Sequence, residues 1–108
     1  MKLYVGGACQ GQEELARQEN PGAEIYVDFH DTIWEAVEAG EAPREFAERF
    51  CKEHPQAVIC ANEVGAGVVP ISARDRAYRE NVGRALCVVA QKCETVVRLS
   101  CGIGRKIK

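Results

Sequence analysis

The chain has 108 residues, 46% of them apolar and 28% charged, with a net charge of −2. That length suits one domain, 1–108, with room for a packed core, and that charge gives no electrostatic case for nucleic acid or an anionic membrane. No apolar run approaches the roughly 20 residues that span a bilayer, and the N-terminus lacks a signal-type apolar region, so a cytoplasmic protein is the expectation.

The first element predicted is a short apolar strand over residues 2–5. It runs into Gly6-Gly7-Ala8-Cys9-Gln10-Gly11-Gln12-Glu13, a G-x-x-x-x-G frame. In a Walker A loop the next two positions are Lys, which meets the β/γ-phosphates, and Ser or Thr, which meets Mg²⁺. Here they are Gln12 and Glu13. A carboxylate suits the first turn of a helix but opposes an anion bound in the same cradle. Glycine at 6, 7 and 11 lets backbone N–H groups turn toward an anion. The loop therefore reads as a nucleotide scaffold without its phosphotransfer groups.

A short helix over 13–19 stops at Asn20-Pro21-Gly22, a strong breaker. A second strand follows over 23–27, closing at Asp28. Thr32 and Glu35 have capping-box spacing, with Gly40 ending that helix. Trp34 reads either as a stacking surface for a base or corrin or as core. Pro43 suits the first turn of the next helix, with Phe46, Phe50 and Cys51 on one face until His54-Pro55. The third strand is 57–61. A long helix from about Ser72 to Cys93 carries Tyr78, Val82, Ala85, Leu86, Val89, Ala90 and Cys93 at helical spacing. On its other side Arg76, Glu80 and Arg84 alternate in sign, as on a solvated face. The fourth strand is 95–100. Strands this apolar, alternating with helices, predict an α/β fold: a small P-loop-type three-layer domain with a mostly parallel sheet of about four strands.

The six cysteines form no C-x-x-C pair and no Cys/His grouping with zinc spacing, so no protein-bound metal is expected from them. Five of them, with Cys60 and Cys87 inside apolar runs, read as small buried hydrophobes. Cys9 differs, since a loop before a helix N-terminus favours a reactive thiolate.

The second half holds the most specific strings: Asn62-Glu63-Val64-Gly65-Ala66-Gly67-Val68-Val69-Pro70 after the third strand, then Tyr78-Arg79-Glu80-Asn81-Val82-Gly83-Arg84, and Gly102-Ile103 before a basic tail. Together these resemble the adenosylcobinamide kinase/adenosylcobinamide-phosphate guanylyltransferase family. The likeness is close over residues 57–108, and residues 1–13 share the loop frame. It implies a link to cobalamin biosynthesis, GTP or ATP with Mg²⁺ as cofactors, a nucleotide or corrinoid partner, and a homo-oligomer, a trimer.

By that resemblance, Gly6, Gly7, Ala8, Cys9, Gln10, Gly11, Gln12, Glu13 and Arg79 would meet the nucleotide. Asp28 and Glu63, at the C-terminal ends of strands where open parallel sheets bind ligands, would be catalytic acids near phosphate and metal; the alternative is that they cap the turns that follow. The departures are as informative as the matches. Cys9 stands where the family has Arg, Gln10 and Glu13 where it has Ser, Gln12 where it has Lys, and Leu86-Cys87 where it has Asn-Gln. The region that carries the family's guanylyl-accepting histidine is missing, and neither His30 nor His54 has its context. Phosphoryl transfer rests on positioning and charge stabilisation, so each lost group costs several powers of ten in rate. The expectation is a degenerate member without full kinase or guanylyltransferase activity. The alternative is an active nucleotide-dependent enzyme with altered phosphate-site residues, served by Arg79, Arg84 or Lys106, here or in a neighbouring subunit.

Overall fold

The structure is a computed structural model that describes residues 1–63 and 72–108. The whole of Val64–Pro70, including Gly65 and Gly67, therefore lies outside the described residues. In chain order the elements are β1 (Lys2–Gly6), α1 (Gln12–Glu19), β2 (Ile25–Tyr26), α2 (Phe29–Glu38), α3 (Pro43–Glu53), β3 (Val58–Asn62), α4 (Ala73–Lys92), β4 (Thr95–Ser100) and β5 (Ile103–Lys106). The sheet order is β2-β3-β1-β4-β5. The first four strands run parallel, and β5 returns antiparallel to β4, with Ser100 opposite Ile103.

The core forms because successive side chains of a strand face opposite ways. Leu3, Ile59, Ala61 and Val96 point to one face and pack with Phe29, Ile33, Ala47, Val82, Ala85 and Val89 of α2, α3 and α4. Tyr4, Val58, Cys60, Val97 and Leu99 point to the other, where Ala16 and Leu15 of α1 cover them. Helices on both sides of one sheet make three layers, as expected. The central position of β1, between β3 and β4, means that α1 leads away on one side and α4 leads to β4 on the other. The C-terminal ends of β1 and β3 thus form a crevice of the kind where open sheets hold ligands.

Several boundaries are as the residues dictate. Pro43 is the first residue of α3, where its missing N–H costs nothing. Ser72 caps α4, its hydroxyl accepting from the Asp75 N–H at 3.0 Å. Asn20 ends α1, its side-chain amide donating both to the Ala16 carbonyl at 2.9 Å and to the Tyr4 hydroxyl at 3.0 Å. That hydroxyl donates to Glu19 at 2.7 Å, so buried Tyr4 ties the end of α1 to the middle of the sheet. Burial, ahead of the bond to Glu19, pushes the Tyr4 phenol up.

The mostly parallel sheet of about four strands is as expected, and the basic tail adds β5 at its edge; the residues of β5 are all exposed, so no burial pattern marks it. Three expectations need correction. The second strand is two residues long rather than spanning 23–27, since it lies at the sheet edge and pairs only with β3. The second helix begins at Phe29, not at a Thr32 cap, because Asp28 turns the chain with φ 50 and fully buried Phe29 enters the core at once. Cys87 and Cys101 are exposed, unlike Cys51, Cys60 and Cys93; Cys87 falls beside, not on, the inward stripe of α4, and Cys101 sits in the β4–β5 turn. Trp34 is half-buried against the core, its ring 5.2 Å from that of Tyr78 in an edge-on contact.

Candidate functional site

The glycine-framed loop does join β1 to α1 at the C-terminal edge of the sheet. Gly6 is required where it is because a Cβ there would lie 2.7 Å from the Leu99 carbonyl oxygen of the neighbouring strand. Gly11, with φ 91, forms the N-terminal boundary of α1 in a left-handed conformation that glycine adopts without penalty. Its carbonyl accepts from Leu15 N–H at 3.1 Å, so the earlier amides of the first turn have no intrahelical acceptor, as at any helix start.

What stands at the lysine position decides the chemistry of this loop. Gln12 is only 7% exposed. Its side-chain nitrogen does not face outward; it donates to the carbonyls of Gly7 at 2.9 Å, Gly6 at 3.1 Å and Ala61 at 3.3 Å, with the Asn62 side-chain oxygen at 3.4 Å. The amide thus staples the ends of β1 and β3 together. The carboxylate of Glu13, at the hydroxyl position, pairs with Arg17 one turn on at 2.9 Å. Next to it, burial pushes the Cys60 thiol up to about 11, and its sulfur donates weakly to the Gln12 carbonyl.

A cavity of about 300 Å³ opens beside the loop, lined by Cys9, Gly11, Gln12, Glu13, Glu14, Val27, Asp28, Cys60, Ala61 and Asn62. Its described lining includes three carboxylates and no Lys, Arg or His. A site of that sign repels a triphosphate unless a cation comes with it or from elsewhere.

The candidate residues divide between two places. Cys9, Gly11, Gln12, Glu13 and Asp28 line the cavity, and Gly6 and Gly7 lie beneath it as acceptors for Gln12. Ala8 and Gln10 complete the loop, the Gln10 side-chain nitrogen donating to the Ala8 carbonyl at 3.2 Å. Glu63 instead faces the other side of the sheet, where it pairs with Arg98 at 3.1 Å and borders a larger groove of about 740 Å³ with Arg44, Arg84 and Leu86. Asp28 and Glu63 therefore do not share the loop cavity. Arg79 is half-buried in the second turn of α4 and is not among the described residues that line the cavity. Arg84 pairs with Glu80 on the solvated side of the same helix.

Two contacts at this edge carry no motif. His30 is buried, and its Nδ1 accepts from the Asn62 N–H at 3.0 Å, which locks the start of α2 to the end of β3. Accepting there places the neutral ring's proton on Nε2, 3.7 Å from Asp31. Gln10 meets the β4–β5 turn: its backbone carbonyl accepts from Gly102 N–H at 3.0 Å, and its side-chain oxygen accepts from Cys101 N–H. Only a fold that places residue 101 beside residue 10 could reveal that contact.

A three-layer α/β domain with a glycine-framed loop opening α1 at the C-terminal edge of a mostly parallel sheet is compatible with a small P-loop-type domain. The chain matches the family model described as cobinamide kinase / cobinamide phosphate guanyltransferase over residues 9–107, and it belongs to that family. Membership relates it to cobalamin biosynthesis. No curated protein matches the chain. Among the described residues no helix is long and apolar enough to cross a membrane.

The family's Mg²⁺ can be tested against the residues present. Among the described residues no group of three or more His, Cys, Asp or Glu side chains could hold a metal ion. The hydroxyl position is a carboxylate already paired with Arg17, and Glu63 is turned to Arg98 across the sheet. Asp28 and Glu14 stay in the cavity lining, but among the described residues the donors make no three-ligand group, and no step is routed through the ion.

Proposed function

We propose that this chain is a degenerate member of the cobinamide kinase and guanylyltransferase family that binds a nucleotide or corrinoid weakly and does not carry out full phosphoryl or guanylyl transfer. Its role would be structural or regulatory, in an assembly related to cobalamin biosynthesis. The observation that carries this reading is the inward-turned Gln12 amide, which spends its donors on the carbonyls of Gly6, Gly7 and Ala61. A side chain so engaged supplies no charge to a phosphate. The acidic lining adds to the effect, since Glu13, Glu14 and Asp28 surround the mouth. The loop glycines would still offer backbone donors, which is enough for weak binding and not for stabilising a transferring phosphoryl group. Self-association, as a trimer, is part of the same reading and rests on family membership.

Calorimetric titration of the full chain with GTP and with ATP, each with Mg²⁺, tests the reading. Affinity in the millimolar range or weaker is expected. The double substitution Gln12→Lys and Glu13→Ser should tighten nucleotide binding by about a hundredfold, since each restores a charge or hydroxyl contact worth about 1.4 kcal/mol. Micromolar binding by the parent, with transfer of phosphate to a cobinamide, would instead establish an active enzyme with altered phosphate-site residues. Static light scattering decides the oligomer, and a monomer at all concentrations would remove that part.

A further inference from the structure

Three non-glycine residues among those described have a left-handed backbone, and two of them are cysteines: Cys9, with φ 58, and Cys101, with φ 51. Asn, Asp and His are the side chains enriched in that conformation; cysteine is not. Both are exposed free thiols. Both also lie at one contact. Gln10, the covalent neighbour of Cys9, accepts from the Cys101 N–H through its side-chain oxygen and from the Gly102 N–H through its backbone oxygen. The same side chain folds back to donate to the Ala8 carbonyl at 3.2 Å, across the residue between. The turns touch closely enough that a Cβ on Gly11 would be 3.6 Å from the Cα of Gly102.

From this geometry we propose that Cys9 and Cys101 are a redox-active pair that forms a reversible disulfide between the β1–α1 loop and the β4–β5 turn. Cys9 and Cys101 stand on two turns held together by the Gln10 hydrogen bonds, while Cys51, Cys60 and Cys93 are buried in the core and Cys87 stands on α4. Cys9 also lines the acidic cavity, so the link would form at the lip of the candidate site. The proposal does not depend on whether that site binds a nucleotide.

The oxidant is a low-molecular-weight disulfide such as oxidised glutathione. The thiolate of one cysteine attacks it, forming a mixed disulfide and releasing one glutathione thiolate. The second cysteine's thiolate then attacks the protein sulfur of that mixed disulfide, forming the Cys9–Cys101 bond and releasing the second glutathione. The two protein thiols lose two electrons, the glutathione disulfide gains them, and the protons pass to the departing thiolates.

The test is to equilibrate the full chain across a series of reduced-to-oxidised glutathione ratios, quench by alkylation, and map unreduced peptides by mass spectrometry. The expected product joins the peptides of Cys9 and Cys101 within one chain, while Cys87 carries at most glutathione and the three buried thiols stay unmodified. Cys101→Ser should leave Cys9 as a mixed disulfide, whereas Cys87→Ser should leave the link intact. Gln10→Ala should demand an about fivefold more oxidising buffer, the effect of one lost hydrogen bond. Recovery of Cys9 and Cys101 as separate mixed disulfides throughout, or joined only to other cysteines, would overturn the proposal. An unmoved midpoint in Gln10→Ala would overturn the part assigned to the clamp.

Discussion

Replacing Gln12 by leucine keeps the volume of the side chain and removes its donor. The side-chain nitrogen has two hydrogens to share among acceptors at 2.9, 3.1, 3.3 and 3.4 Å, so it supplies about two full hydrogen bonds, to Gly7 and Gly6 first. Each is worth about 1 kcal/mol net, and a buried carbonyl left bare costs about 1–3 kcal/mol. Gly6 keeps one partner, the Glu63 N–H at 2.6 Å, which softens the loss there. The sum is about 2–4 kcal/mol, a large part of the 5–15 kcal/mol that holds most domains folded. Urea unfolding followed by far-UV circular dichroism reads this directly: at a slope of about 2 kcal/mol per molar urea, the midpoint should fall by about 1–2 M with the slope unchanged. Gln12→Lys is the control. Its ammonium brings three donors to the same carbonyls, so its stability should stay within about 1 kcal/mol of the parent's. If the leucine variant unfolds with the parent, or the lysine variant falls as far as leucine, then the staple between β1 and β3 does not exist as described.

Further outcomes follow from the same packing. Gly6→Ala should destabilise by about 1–3 kcal/mol in the same urea assay, since its Cβ would meet the Leu99 carbonyl at 2.7 Å and only a shift of β1 against β4 relieves it; an unchanged midpoint would show that the strands part freely. Timed alkylation near neutral pH should label Cys9, Cys87 and Cys101 and leave Cys51, Cys60 and Cys93 until the protein unfolds, and early loss of a buried thiol would contradict the core. Stability should also fall in alkali. Burial pushes the Cys93 thiol up to about 12 and Cys60 up to about 11, against an ordinary 9.0, so the folded chain holds protons that the unfolded chain has released. Their contribution is full below pH 9.0 and is lost as pH rises through those two values. Cys93→Ala should flatten the alkaline fall measured by urea midpoints, and a slope identical to the parent's would place the titration elsewhere.

Most of the layer arrangement was legible in the residues. Apolar runs at 57–61 and 95–100 announce buried parallel strands because both faces must be covered, and α4 carries its inward residues at helical spacing from Tyr78 onward. Elements that depend on an edge rather than on burial were harder to read. The fifth strand reads Ile103-Gly104-Arg105-Lys106, and nothing in it alternates against a core. The second helix shows how tertiary packing overrides a local signal. Thr32 and Glu35 have the spacing of a cap, yet burying Phe29 and His30 draws the helix start forward to residue 29.

The loop tells the same story at the level of chemistry. Its glycine frame and the loss of Lys and Ser are facts of the sequence, because φ freedom and charge belong to single residues. Where the substitutes point is not. Gln12 turns inward onto the carbonyls at the ends of β1 and β3, and Gln12 and Ala61 are 49 residues apart in sequence. Asp28 and Glu63 both lie just past the ends of strands, but only the finished fold sends one to the loop cavity and the other to Arg98. The meeting of Gln10 with Cys101 spans 91 residues. Composition and local pattern determine which groups a chain possesses; which of them share a site is decided by the long-range pairing of strands, since hydrogen bonds and burial are completed only between segments that folding brings together.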